Sequence, residues 1–368
     1  MSPRCLMTDC RWSEVEATQQ FITDLFSGPP PARPGVLMHL ASLTRPPPPP
    51  AGLTEFQGQV WNTAHTLQER PLGADDWVPT LGTGAGTCAM ATAFGAEEST
   101  TNGVYWVTPC VRDPAEIDHL RKPAVTDGKL GGVLEQTRAY AEYADPRLPI
   151  RIMDFQSPFT TVEQMLGSEL FFLMPYDQPQ RLHALMDLVT DYAIEFFQAQ
   201  MAAAGPSCCP GIWPTSWFPK CAGIQMSDDN MVNVSPATYE EFVLPYNNRI
   251  ADAFGGLFLH SCTIHEDNLA SILKIRHLTG VNCDISTSVP VSRLLDVFGE
   301  KVVVAPHCYI NTNTNFQNYA EFIEHCLKGW RPGLRLFIHP CSVMYIPAQA
   351  KEIPFNRAEV EAALSRVL

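Results

Sequence analysis

Residues 256–341 repeat one short phrase four times: GLFLHSC (256–262), GVNCD (280–284), KVVVAPHC (301–308) and LRLFIHPC (334–341). Each is an apolar run of strand length that closes on His, Cys or Asp. Segments of about 10–15 residues with helical spacing separate them, which is the rhythm of successive βα units. The runs are continuously apolar, as parallel strands covered on both faces read. Upstream, GVLMHL (35–40), WVPT (77–80), GVYWV (103–107), PIRIMD (149–154) and AGIQMS (222–227) supply further strand candidates. At least seven such runs predict closure into a single (β/α)₈ (TIM) barrel of α/β class, with insertions, and 368 residues are within the range of one such domain.

Helical expectations complete this frame. Residues 12–26 (WSEVEATQQFITDLF) carry apolar positions at helical spacing behind a Ser13 cap with Glu16 three residues on, and stop at Gly28-Pro29-Pro30. Residues 1–34 therefore read as an N-terminal helical extension of the one domain, 1–368. A long amphipathic helix is expected at 178–203, and another at 236–254, where Ser235 caps and Pro236 takes the first helical position. The five prolines at 46–50 belong to a loop of polyproline geometry. Residues 205–221 (GPSCCPGIWPTSWFPKC) are irregular, and form either a lid or a packed plug.

Hydrophobic residues at 45% supply a large core, and charged residues at 17% leave little room for long disordered stretches. With 25 basic against 39 acidic residues the formal charge is −14, and no basic run offers a footprint for nucleic acid or an anionic membrane. No run of about 18 apolar residues and no secretory h-region occurs, so a cytoplasmic protein is expected. The twelve cysteines are scattered without small-scaffold spacing and read as thiols, most of them core residues.

Functional residues of such a barrel sit at the C-terminal ends of its strands. The last four strands end in His260-Ser261-Cys262, Cys283-Asp284, His307-Cys308 and His339-Pro340-Cys341. Residues two apart after a strand can reach one ion where the chain turns, and Cys341 arrives from a neighbouring strand. His260, Cys262 and Cys341 would leave a fourth position open, the arrangement of a catalytic zinc. Asp154, Asp228 and Asp229 lie at other strand ends, where each could orient substrate or take a proton, or serve as a helix cap or loop hydrogen-bond acceptor. His39, His307 and His339 share the rim. A packed, hydrogen-bonded histidine is the commoner role for each.

The HSC at 260–262, the single Cys341, and the stretches SDDNMVNVSPATYEEFVLPY (227–246) and DFQSPFTTVEQMLGSELFFLMPYDQP (154–179) resemble the uroporphyrinogen decarboxylase superfamily in its zinc-dependent methyltransferase branch. The resemblance implies Zn²⁺ on His260, Cys262 and Cys341, with Asp284 as a fourth ligand. It implies methyl transfer between a separate corrinoid protein and a thiol, a folate or a small methylated substrate. Asp154, Asp229, His39 and His307 would then be the catalytic groups. No corrinoid-binding module of the Asp-x-His-x-x-Gly type is present, so the corrinoid would arrive on a partner, which Trp213 and Trp217 at the barrel mouth would contact. A homodimer is compatible with this reading. Where the decarboxylases hold propionates with an Arg-rich motif after the first strand, this chain reads MHLAS (38–42), which argues against porphyrinogen decarboxylation. The rivals are corrinoid-free alkyl transfer to a thiol, as in epoxide opening, and a non-catalytic binding barrel.

Overall fold

The computed structural model describes all residues except 1–3, 8–9, 30, 39–47, 69–74, 102–103, 212–216, 310–314, 342–357, 359–361, 363–364 and 366–368. Its strands are β1 (Gly35–Val36), β2 (Leu81–Gly82), β3 (Glu97–Thr101), β4 (Val104–Thr108), β5 (Ile150–Arg151), β6 (Cys208–Cys209), β7 (Ile224–Ser227), β8 (Leu257–His260), β9 (Leu278–Asp284), β10 (Val303–Tyr309) and β11 (Phe337–Cys341). Six of them form one parallel sheet in the order β1-β11-β10-β9-β8-β7, and three form a second in the order β2-β5-β6. Backbone hydrogen bonds run between the sheets, from Gln225 N to Pro210 O at 3.2 Å and from Ser227 N to Phe155 O at 2.7 Å. The β3–β4 pair is a separate antiparallel hairpin, so the described part of the run at 103–107 is strand but not part of either parallel sheet.

The four C-terminal runs all become strands, three of them starting one to three residues late and β9 starting two residues early. Side chains alternate across a strand. Leu257, Leu259, Val281, Cys283, Val304, Cys308 and Ile338 accordingly join the core beneath the helices. Phe258, Val303, Ala305 and Phe337 face the other way, into a second buried cluster. Continuously apolar strands are thus two alternating faces, each covered.

The long helix runs Pro179–Ala204, one residue from its expected start and end. The expected helix at 236–254 is two helices, Pro236–Phe242 and Leu244–Phe254, with Val243 at the break. Pro245 explains the interruption, since it has no N–H to give to a preceding turn and fits only near a helix start. The N-terminal helix, α1 (Trp12–Ser27), starts one residue before Ser13, with Arg11 at its N-cap and no side-chain cap. Ser13 therefore lies inside it and is not the expected cap.

Helix α1 covers one end of the parallel strands: Val15, Ile22, Leu25 and Phe26 pack with Phe258, Val303 and Phe337. Its last carbonyls are taken by Arg335, which donates to Asp24 O at 3.1 Å, Leu25 O at 2.6 Å and Gly28 O at 2.8 Å. A cation there also opposes the negative end of the helix dipole. Arg335→Met should cost about 2–3 kcal/mol, since several charge-assisted bonds are lost and carbonyls are left unpaired. Chemical denaturation measures this; a change below about 0.5 kcal/mol would mean that the helix end is satisfied otherwise.

Candidate metal centre

The strand ends build the site. Parallel register places Ser227 opposite His260, His260 opposite Asn282, and His307 opposite both Asp284 and His339. Strand parity sends His260 to the same face as Phe258, away from the helices. The His260 and His307 rings lie 5.7 Å apart, with Tyr309 edge-on to His307 at 5.5 Å. The same parity removes Cys283 and Cys308 from the site, because both sit in the core under the helices.

Asp229, His260 and Cys262 converge, with one ligand atom from each lying within 4.8 Å of the others. The His260 Nε2 is 3.9 Å from Cys262 Sγ and 3.8 Å from Asp229 Oδ1. Zinc bonds of about 2.0–2.3 Å at tetrahedral angles need ligand edges of about 3.5 Å, so an ion fits with small adjustments. The turn is held in place because Cys262 N donates to Asp229 Oδ1 at 2.7 Å. On its far side His260 meets Asn282: Nδ1 and the Asn282 Oδ1 are 2.5 Å apart.

Carboxylates crowd this point. Asp154 receives Ser227 Oγ at 3.1 Å and Gln156 Nε2 at 2.9 Å. Burial pushes its carboxyl above the usual range, with Asp229 adding to that rise while its two hydrogen bonds and His260 oppose it. Asp228 is fully buried, takes hydrogen bonds from Ser157 at 3.0 Å and Asn247 at 3.1 Å, and is pushed up to about 6, chiefly by desolvation. The Cys262 thiol is pushed well above its ordinary value by burial and then by Asp229, Asp284 and Asp154. So much negative potential with so little basic compensation is what a divalent cation would relieve.

Two expected ligands stand outside this group. Cys341 is fully buried, and its Sγ lies 3.6 Å from the His339 carbonyl oxygen, to which it donates. Asp284 Oδ1 closes its own turn, taking Ser286 N at 2.8 Å and Ser286 Oγ at 2.6 Å. Asp229, expected to act on substrate, is the third member of the converging group. His39 and Trp213 lie outside the described residues. Trp217 is not at the mouth: it packs with Phe218 beside α1 and Phe258, at the end of the strands opposite to His260. Asn282, Ser227 and Gln156 went unread in the sequence, because each is an ordinary polar residue until register brings it to its partner.

The comparisons with known proteins agree with an α/β fold built on a parallel sheet. Residues 87–217 match the uroporphyrinogen decarboxylase (URO-D) family. Relatives include the methylcobamide:CoM methyltransferase MtbA of Methanosarcina acetivorans, 26% identical over 47% of this chain and 46% of its own. They also include the uroporphyrinogen decarboxylase of Syntrophotalea carbinolica, 31% identical over 40% of this chain and 39% of its own. The chain thus spans under half the length of these relatives. A solved methyltransferase from Methanosarcina mazei superposes with a TM-score of 0.63 over 95% of this chain and 97% of its own at 16% identity, which establishes likeness of fold. The family match stops before Asp229, His260 and Cys262, so the metal centre rests on its own geometry. No helix among the described residues is long and apolar enough to cross a membrane.

Proposed function

We propose that this chain is a zinc-dependent methyltransferase that moves a methyl group between a separate corrinoid protein and a thiol, folate or small methylated substrate. The convergence of Asp229, His260 and Cys262 at one end of the parallel strands carries the reading. It is supported by the methyltransferase relatives, which are named for methylcobamide and coenzyme M. In this reading the two parallel sheets close into one (β/α)₈ barrel, supported by the bonds from β7 to Pro210, just after β6, and to Phe155, after β5, and by Asp76 N donating to Val36 O at 2.8 Å.

A bound Zn²⁺ would supply Lewis acidity, deprotonating a coordinated thiol while leaving its sulfur nucleophilic. His260, Cys262 and Asp229 would hold it, with Cys341 the candidate for a further thiolate. Asp154, held by Ser227 and Gln156, would accept the proton that an incoming thiol gives up. His307, beside His260, borders the space where substrate would lie.

Mixing the zinc-loaded protein with a methylated corrinoid protein and a small thiol tests this. Thiol-dependent loss of the methyl-cobalt absorbance, together with a methyl thioether product, is expected. Zinc-dependent alkylation of the thiol by an epoxide with no effect on the corrinoid would favour the corrinoid-free rival.

A further inference from the structure

We propose that Asn282 is a positioning residue that fixes His260 as the Nδ1–H tautomer and thereby turns the Nε2 lone pair towards Cys262 and Asp229; the role as metal positioner rests on the zinc reading above. Asn282 sits on β9 with no exposed surface, and its register partner on β8 is His260. Its side-chain amide has two neighbours. The Nδ2 group donates to the backbone carbonyl of Ala305 on β10, and Oδ1 faces His260 Nδ1 at 2.5 Å.

The orientation of this amide is determined by chemistry. A backbone carbonyl has no proton and can only accept, so the NH₂ end of Asn282 must face Ala305. The oxygen then faces His260, and an amide oxygen also only accepts. His260 must therefore donate from Nδ1, and a neutral imidazole that carries its proton there holds its lone pair on Nε2. That nitrogen is the one 3.9 Å from Cys262 Sγ and 3.8 Å from Asp229 Oδ1. Two adjacent strands thus clamp one side chain so that a third strand's histidine presents a ligand atom and not a donor. A hydrogen bond to the far nitrogen also makes an imidazole the better ligand.

A residue that merely ties β9 to β10 would show none of this, and protein labelled with ¹⁵N-histidine separates the two roles. In metal-free protein, two-bond ¹H–¹⁵N spectra should show His260 with a protonated Nδ1 and an unprotonated Nε2, the resonance being assigned by its loss in His260→Gln. Asn282→Leu removes the acceptor at similar volume. It should shift His260 towards the Nε2–H form and weaken zinc binding, measured by competition with a chromophoric chelator, by about 10–100-fold. Asn282→Asp keeps an oxygen against Nδ1 and should keep both the tautomer and most of the affinity, which holds the test open if the Leu variant fails to fold. Finding Nε2–H in the parent protein overturns the proposal whatever the metal does. A changed tautomer in Asn282→Leu with unchanged zinc affinity overturns the positioning role but leaves the metal centre standing. Nδ1–H in a parent protein that binds no zinc would instead overturn the zinc reading and the positioning role with it.

Discussion

Cys262→Ser and His260→Gln proteins, purified after zinc-supplemented expression, should carry under about a tenth of an equivalent of zinc against close to one in the parent chain. Each variant removes one of the three ligand atoms that, among the described residues, already lie within 4.8 Å of one another. Two remaining donors cannot hold the ion against solvent and chelators. Methyl transfer should fall by roughly a thousand-fold or more, because the several kcal/mol of Lewis-acid stabilisation disappear with the metal. Both proteins should stay folded with a cooperative thermal transition. The apolar core under the helices is built without these side chains, unlike that of a zinc finger, which has no core apart from its metal. Asp229→Asn and Cys341→Ser then identify the remaining ligand. The geometry expects Asp229→Asn to lose zinc, and a comparable loss in Cys341→Ser would show that its thiol turns from the His339 carbonyl to the ion. Full zinc occupancy in Cys262→Ser would end the proposal of a metal centre here.

The strands with local content were legible. GLFLHSC, GVNCD, KVVVAPHC and LRLFIHPC are apolar runs between helical segments, and each became a parallel strand. What sequence could not supply was which way each chemical end points. Cys283 and Cys308 looked like rim ligands beside His260 and His339, but one residue of offset along a strand reverses the face, and both thiols went under the helices. Asn282, their inconspicuous neighbour, has the right parity and touches His260. Asp229 was read as an acid near substrate because its partners are 31 and 33 residues away and meet it only through the pairing of β7 with β8. Residues 205–221 were undecidable for a related reason. Pro, Trp and Cys in an irregular stretch suit a lid and a plug equally, and only contact with α1 distinguishes them.

Phe218→Ala should destabilise the protein by about 3–5 kcal/mol while leaving its zinc content unchanged. Phe218 is 1% exposed, with its ring centroid 5.3 Å from that of Phe26 on α1 and 4.6 Å from that of Phe258 on β8. Phe26 and Phe258 are themselves 6.0 Å apart, so three rings from three distant parts of the chain close one end of the strands. Gly211 makes room for this: a Cβ there would stand 2.4 Å from the Phe218 ring. Truncation opens a ring-sized cavity bounded by α1 on one side and a strand on the other, and neither can collapse far without breaking its own hydrogen bonds. The proposed metal ligands lie at the other end of the same strands, with His260 two residues beyond Phe258, so a bound ion should be indifferent to the loss. Thermal and denaturant unfolding, with metal analysis of the folded fraction, read both quantities. A docking surface would behave in the opposite way, with stability intact and only the apparent KM for a corrinoid protein raised. That outcome would place residues 217–218 at a partner interface, and the large loss of stability expected here makes them the inner face of a plug.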